Sequence, residues 1–391
     1  MTTTTAKQST PSGIHAGAST VGMVGAGQLA RMTHQAAISL GINLKVLATD
    51  TAEPAVTAGA AYVLGTPHNL SDLKRLAEGV QVVTFDHELI PPDHLTALHR
   101  NGVVLAPGPA ALACGQDKLH ARQILASHQL PFIPYTVAHD GADVLTFAGS
   151  YGWPQIAKAR RGGYDGKGVW RLKNANSASK LLAHHPGELL IEPELPFDRE
   201  LAVLVARTTD GRSCTYPVVE TIQVNAVCRE VLAPAPIPSA VADNARAMAR
   251  RIADAIDAVG ILAVEFFLVS DQLVVNELAL RPHNSGHYSI EGTTTSQFEQ
   301  HLRAILGWPL GASDLTAAAV ATLNVLGPAD GRDPRSRLPH ALNVPGAHVH
   351  LYAKKPRPGR KLGHVTVCAA DLDTARTKAR RAVALLEGRA A

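Results

Sequence analysis

The segment Gly162-Gly163-Tyr164-Asp165-Gly166-Lys167-Gly168 constrains this chain more than any other. Four glycines in seven residues carry too much backbone freedom for a stable helix or strand. The flanks Gln155-Ile156-Ala157-Lys158 and Val169-Trp170-Arg171-Leu172 read as two strands. A hairpin with a flexible, cationic tip follows. Such a tip can fold over a polyphosphate, using backbone N–H groups and lysine ammonium groups. The alternative is a solvated basic turn. The spacing fits neither a Walker loop nor the protein-kinase glycine loop.

A second glycine turn stands near the N-terminus. Gly25-Ala-Gly27-Gln28-Leu29-Ala30 fits G-x-G-x-x-A, between a strand at Val21-Gly22-Met23-Val24 and a helix predicted from Gln28 to Leu40, with Gly41 as its stop. Asp50 follows the next strand, Leu44 to Ala48, twenty residues beyond Ala30, where a ribose-binding acid would stand. Three readings stay open: an NAD site, another anion site and a purely structural turn.

Two apolar runs, Ala263-Val-Glu265-Phe-Phe-Leu268 and Leu273-Val-Val-Asn276-Glu277-Leu278, are joined by Ser270-Asp271-Gln272 and read as a hairpin. Glu265 and Glu277 would project from buried strands, where an isolated charge needs a partner. Two carboxylates and an amide suit magnesium, which keeps nucleotide phosphates as co-ligands. The alternative pairs both glutamates with Arg or Lys. Arg281-Pro-His283-Asn284-Ser285-Gly286-His287 then packs five polar side chains into seven residues, as a ligand-orienting loop would. Lys354-Lys355-Pro-Arg357-Pro-Gly-Arg360-Lys361 holds five cations around three Pro/Gly positions, as phosphate-monoester binding would require.

Strands alternating with helices from Thr20 to about Gly108 argue a parallel, doubly wound α/β sheet, with further strands at Val80–Phe85 and Val103–Leu105. Pro107-Gly108-Pro109 marks a break, and Gln116 to His128 reads as one helix. Strands dominate from Pro154 to about Pro328, interrupted by helices at Val241–Val259 and Ser296–Leu306. Residues 327–346 read as a linker or surface loop. Strands at His348–Tyr352 and His364–Cys368 and a helix at Asp371–Leu386 form a small last unit.

Composition mainly excludes. Net charge is 37 − 33 = +4, too small and evenly mixed to argue for nucleic acid or a membrane surface. No segment approaches 18 uninterrupted apolar residues. The four cysteines show no Cys-x-x-Cys spacing and read as free thiols in a reducing cytosol. Met1 to Thr20, rich in Thr, Ser and Gly, is expected to be a disordered lead-in rather than a signal peptide. No G-x-S-x-G or H-E-x-x-H occurs, and His184, His185 and most other histidines are expected on the surface.

Taken together, these motifs resemble the N5-carboxyaminoimidazole ribonucleotide synthetase family of ATP-grasp ligases. The resemblance runs in order from about residue 20 to 385 and is most specific at Arg281-Pro-His-Asn-Ser-Gly-His287 and Ser296-Gln-Phe-Glu-Gln-His301. After the composition-read disordered tail over 1–19, it implies a Rossmann-like domain over 20–115 and an ATP-grasp domain over 116–326. A lid subdomain would span about 130–196 and a small C-terminal domain 327–391. It implies carboxylation of 5-aminoimidazole ribonucleotide by bicarbonate and ATP, with magnesium, in purine biosynthesis, by a cytoplasmic homodimer.

The resemblance also implies residue roles. Lys118 and Lys158 would meet the nucleotide, and Gly163, Tyr164, Asp165, Gly166, Lys167 and Gly168 would form the closing loop. Glu192 and Leu195 would meet the adenine, Glu200 the ribose, and Gln223 a further nucleotide contact. Glu265 and Glu277 would ligate magnesium beside Asn276. Arg281, His283, Asn284 and Lys354 would face the reacting groups, with Ser285 beside them. Gln28, Leu29, Glu88, Arg360 and Lys361 would bind the ribonucleotide. The chain departs from the family pattern at Gln223 (usually His), at Asp86 and Leu89 in Phe85-Asp-His-Glu-Leu89 (usually Phe-Glu-x-Glu-Asn) and at Leu280 (usually Pro). Two rival readings are another ATP-grasp ligase and an NAD-dependent oxidoreductase built on the first glycine turn.

Overall fold

A computed structural model describes residues 19–163, 167–185 and 187–389, so the lead-in expected before residue 19 lies outside the described residues. The first sheet holds β1 (Thr20–Val24), β2 (Asn43–Ala48), β3 (Ala61–Leu64) and β4 (Val82–Phe85). All its pairings are parallel, in the order β3-β2-β1-β4. Apolar runs mark β1, β2 and β4 because helices cover them. The edge strand β3 is a short apolar run too, Ala61-Tyr62-Val63-Leu64, but Tyr62 and Leu64 face solvent, and the sequence reading missed it. The strand expected at Val103–Leu105 makes one bridge, Val83 to Leu105. Pro107 and Pro109 follow at once and offer no ladder donors.

Pro109, expected as a breaker, starts the helix Pro109–Gln116, where its missing N–H is harmless. The single helix expected from Gln116 to His128 is cut at Asp117. That residue is extended, and its carboxylate caps Leu119 and His120 at the start of the helix Lys118–Ser127.

The second sheet is a small antiparallel one: β5 (Thr136–Ala138), β6 (Gln155–Ala159), β7 (Val169–Leu172) and β8 (Leu189–Pro193), in the order β5-β8-β6-β7. Helices Gly141–Tyr151 and Ala175–His184 give it a core of its own, with Val144, Phe147, Leu172 and Ile191. The second glycine turn is the β6–β7 connection, as the flanking runs predicted.

The third sheet has nine strands: β9 (Arg199–Arg207), β10 (Ser213–Thr215), β11 (Val219–Val224), β12 (Val227–Ala233), β13 (Gly260–Val269), β14 (Gln272–Ala279), β15 (Ala319–Leu326), β16 (Ala347–Leu351) and β17 (Lys361–Ala369). Its main path is β14-β13-β9-β11-β12-β15-β17-β16. The C-terminal strands therefore extend the central sheet through β15–β17 pairing. Residues 327–346 do more than link. They hold the helix Leu338–Leu342, and Ala341 and Val344 join a core with the helix Leu372–Glu387.

His301, on the helix Gln297–Ile305, ties the first sheet to the third. Its Nε2 meets Thr84 Oγ1 at 2.8 Å, and its Nδ1 accepts from the Ile261 amide at 3.1 Å. Burial pushes its pKa down to about 3, so the neutral ring accepts at one nitrogen and donates at the other. His287, His301 and His364 are buried, exceptions to the surface placement expected for most histidines, while His184 and His185 are exposed as expected.

Candidate active site

The hairpin β13–β14 turns at Ser270 and Asp271, both left-handed (φ 46° and 66°), as a two-residue connection matching strand twist requires. Its register sets Glu265 directly opposite Glu277. On β9, next to β13, Glu200 lies two residues from Ala202, which pairs with Glu265. The strand alternation therefore puts Glu200 and Glu265 on one face of the sheet. Burial, then the Glu277 and Glu200 charges, raise the Glu265 pKa. At Glu277 burial acts upward, but the Lys118, Lys158 and Arg281 charges hold the carboxyl below its ordinary value. One carboxylate of the pair thus resists ionisation until more positive charge arrives.

That charge is arrayed around them. Lys118, at the first turn of its helix, donates to Glu277 Oε1 at 3.0 Å. Lys158, on β6, reaches Asn276 Oδ1 at 3.1 Å and Glu192 Oε2 at 2.6 Å. Glu192, 1 % exposed, also pairs with Arg122 at 2.6 Å. Leu195 lies half-buried just past β8. Gln223, after a bulge in β11, hydrogen-bonds the Glu200 carboxylate, whose pKa burial raises.

The second glycine turn is anchored at its base. Arg160 and Arg161 both bond the Asp117 carboxylate, and Lys118 N donates to the Arg160 carbonyl at 3.0 Å. At Gly163 (φ 92°) a Cβ would lie 2.6 Å from the Lys167 carbonyl oxygen, so only glycine fits. Gly168 is also left-handed (φ 75°). Tyr164, Asp165 and Gly166 lie outside the described residues. Asp117, Arg122 and Arg160 escaped the sequence reading. The signals available were Asp117 as a helix cap and Arg122 as a cation inside an apolar helical face.

Beside the hairpin, Arg281 donates to Glu88 Oε2 at 2.8 Å. His283 Nε2 lies 3.6 Å from Glu265 Oε1, and its Nδ1 meets Ser285 Oγ at 2.9 Å. Burial, then the Arg281 and Lys361 charges, push the His283 pKa down to about 3. The buried Gln297 amide clamps this loop: it accepts from His283 N and donates to His283 O, each at 2.8 Å. Gly286 is required there, since a Cβ would come within 2.4 Å of Gln297 Oε1. The Asn284 side-chain nitrogen is buried without an acceptor.

Gln28 opens the first helix, and Leu29 packs its side chain with Met32, Phe298 and Tyr352. Lys354 Nζ stands 5.7 Å from the Tyr352 ring centroid. Arg360 bonds the Lys355 carbonyl, and Lys361 begins β17. The first and third sheets thus bring the N-terminal and C-terminal candidates together through Leu29 and Tyr352.

The first glycine turn is already filled. Asp86 Oδ2 accepts from Gly27 N at 2.8 Å. A Cβ on Gly25 (φ +100°) would sit 1.8 Å from Asp86 Oδ1. Asp50 caps Ala52 N instead of facing that turn. A carboxylate in the cradle disfavours a pyrophosphate there, which counts against the NAD reading.

Known proteins share this chain's domains and fold. Residues 18–116 match the ribonucleotide synthetase preATP-grasp domain, 123–298 the ATP-grasp domain and 320–378 the phosphoribosylaminoimidazole carboxylase C-terminal domain. The N5-carboxyaminoimidazole ribonucleotide synthase of Mycobacterium tuberculosis is 45% identical over 360 residues, covering 90% of this chain and 84% of that one. This chain belongs to the N5-carboxyaminoimidazole ribonucleotide synthetase family. The Corynebacterium ammoniagenes synthase is 41% identical over 385 residues, covering 94% and 91%. Among solved structures, the Aspergillus clavatus synthase in complex with ADP and 5-aminoimidazole ribonucleotide superposes with TM-score 0.88 at 31% identity, covering 95% and 99%. The Thermus thermophilus synthetase gives 0.85 at 35% identity, covering 93% and 98%. The chain is an ATP-dependent ligase with the family's three-part architecture. No helix among the described residues is long and apolar enough to cross a membrane.

Proposed function

We propose that this chain uses ATP to carboxylate the amine of 5-aminoimidazole ribonucleotide with bicarbonate, in purine biosynthesis. One observation carries the reading: two carboxylates in direct cross-strand register, with Lys118 bonded to Glu277 and Lys158 to the adjoining Asn276. Glu265 and Glu277 would hold magnesium. The donor set fits, because Mg2+ takes few protein carboxylates and completes its shell with phosphates and water. Bound there, the metal draws charge from the transferring phosphoryl group.

Lys158 and Lys118 bind and orient the nucleotide phosphates. A bicarbonate oxygen attacks the γ-phosphorus, ADP leaves, and carboxyphosphate forms. The ribonucleotide amine takes the carboxyl group, directly or as released CO2, and phosphate and a proton leave. The orphaned Asn284 amide suits a bicarbonate oxygen as its acceptor. His283, held neutral, can donate without adding a charge. Gly163 to Gly168 would close over the site and exclude water from the acyl phosphate. Glu200 and Gln223 would take the ribose of ATP, and Glu192 and Leu195 would border the adenine. Gln28, Glu88, Lys354, Arg360 and Lys361 would hold the ribonucleotide, with Leu29 and Ser285 shaping its seat. The proposal includes a cytoplasmic homodimer, which light scattering at twice the 41.2 kDa chain mass would check.

A coupled ATPase assay tests the activity. ADP release should require both bicarbonate and the ribonucleotide. Release indifferent to the ribonucleotide would overturn the substrate assignment.

A further inference from the structure

Arg122 has no role above, yet it forms a buried pair with Glu192. Their side chains are 3% and 1% exposed. The guanidinium grips Glu192 Oε1 through Nε at 3.1 Å and Nη2 at 2.6 Å. The same Nη2 donates to the Asn276 main-chain carbonyl at 2.9 Å. Arg122 therefore bridges two sheets, β8 through Glu192 and β14 through the residue before Glu277. Lys158 joins the same two points with its single ammonium: Glu192 Oε2 at 2.6 Å and Asn276 Oδ1 at 3.1 Å. One buried carboxylate thus serves two cations, one on each oxygen.

The two cations are not equivalent. Arg122 is sealed in, and its planar fork is matched bidentately to one carboxylate oxygen and a carbonyl. Lys158 is 12% exposed and stands on the strand leading into the glycine turn. A lysine that moves to a phosphate must leave its carboxylate behind. A bare buried carboxylate would make that move costly. With Arg122 in place, Glu192 keeps a bonded counter-charge after Lys158 departs.

We propose that Arg122 is a positioning residue that keeps Glu192 neutralised, so that Lys158 is free to exchange its carboxylate partner for a nucleotide phosphate. Glu192 is then the partner that Lys158 gives up on binding phosphate, and the Arg122–Glu192 pair is a fixed pin between the small sheet and the metal-binding strand. This rests on the reading that Lys158 meets the phosphates of ATP.

The test is ATP–magnesium affinity by calorimetry on the full chain, with thermal unfolding recorded for each variant. Lys158→Met comes first: it should weaken ATP binding at least tenfold, and unchanged affinity would remove the reading on which the inference rests. Arg122→Met leaves Lys158 as the only counter-charge of Glu192 and should weaken ATP binding by about tenfold. Adding Glu192→Gln to Arg122→Met removes the charge that traps the lysine. Affinity in the double variant should recover at least about threefold over that of Arg122→Met alone. A purely structural Arg122 predicts no such recovery, and a double variant as weak as Arg122→Met overturns the proposal. Arg122→Lys guards against misfolding of the others. It keeps a positive charge but not the fork, so it should lower the melting temperature while ATP affinity stays within about threefold. A tenfold loss in a folded Arg122→Lys would also overturn it.

Discussion

The two glycine turns look alike as sequence and end as opposites. Both follow a strand, and both are rich enough in glycine for close backbone approach. At the first, the group that approaches is the chain's own Asp86 carboxylate, bonded to Gly27 N. At the second, the nearby groups are cations, and the base is tied down by Arg160 and Arg161 on Asp117. A glycine turn therefore specifies room for a close neighbour. Which neighbour fills it depends on a residue far along the chain: Asp86 lies 59 positions from Gly27.

Substitutions can break or sharpen this contrast. The largest effect belongs beneath the second turn. Glu277→Gln should lower turnover about a thousandfold with its melting temperature retained, measured by the coupled ATPase assay and calorimetry. Turnover near the parent's would remove the metal role. Next come the glycines. Gly25→Ala forces a Cβ into Asp86 and should cost about 3 kcal/mol of stability by urea unfolding. Gly162→Ala, whose Cβ meets nothing within 4 Å, should cost only about 1 kcal/mol of left-handed strain. Equal costs would erase the distinction between a filled and an open turn.

Asp86→Asn gives a smaller effect with a defined pH dependence. Burial raises the Asp86 pKa above its ordinary 3.8, against the opposing pull of His87, Gly27 N and Arg281. Between the unfolded and folded values the folded state binds the extra proton. Wild-type stability therefore falls as pH rises through that window. The asparagine variant lacks this loss, so it should melt higher than the parent at pH 7. The advantage should shrink as pH falls below the ordinary carboxylate range. An advantage that grows on acidification would contradict the assignment. The smallest effect is at the proposed ribose contact: Gln223→Ala should raise the KM for ATP about threefold and leave kcat nearly unchanged.

Much of this was legible in the chain. The β13–β14 hairpin followed from two apolar runs and a short polar joint, and with it the carboxylates on neighbouring strands. That Glu265 faces Glu277 rather than Asn276 comes from a register shift between Glu265 and Phe266 that the sequence did not show. The β6–β7 hairpin followed from glycine content and its two flanking apolar runs. Other features were hidden for physical reasons. Strand β3 is a four-residue apolar run on an exposed edge, too short for periodicity to tell a strand from the turns around it. Asp117 splits a helix through its own side-chain capping, which hydrophobic periodicity does not register. The pairing of Arg122 with Glu192 spans 70 residues, and nothing local announces it. Asp86 stood out in the sequence only as a departure from the family pattern. Its place over Gly25 needed the parallel β1–β4 pairing to become visible.

The central claim is that the γ-phosphoryl group passes to bicarbonate at the second turn. The direct measurement is turnover in 18O-labelled bicarbonate with ATP, magnesium and 5-aminoimidazole ribonucleotide, followed by mass analysis of the phosphate released. Transfer through carboxyphosphate predicts one labelled oxygen in each phosphate formed. Phosphate without the label, its fourth oxygen drawn from water, formed at the same rate, would contradict the account.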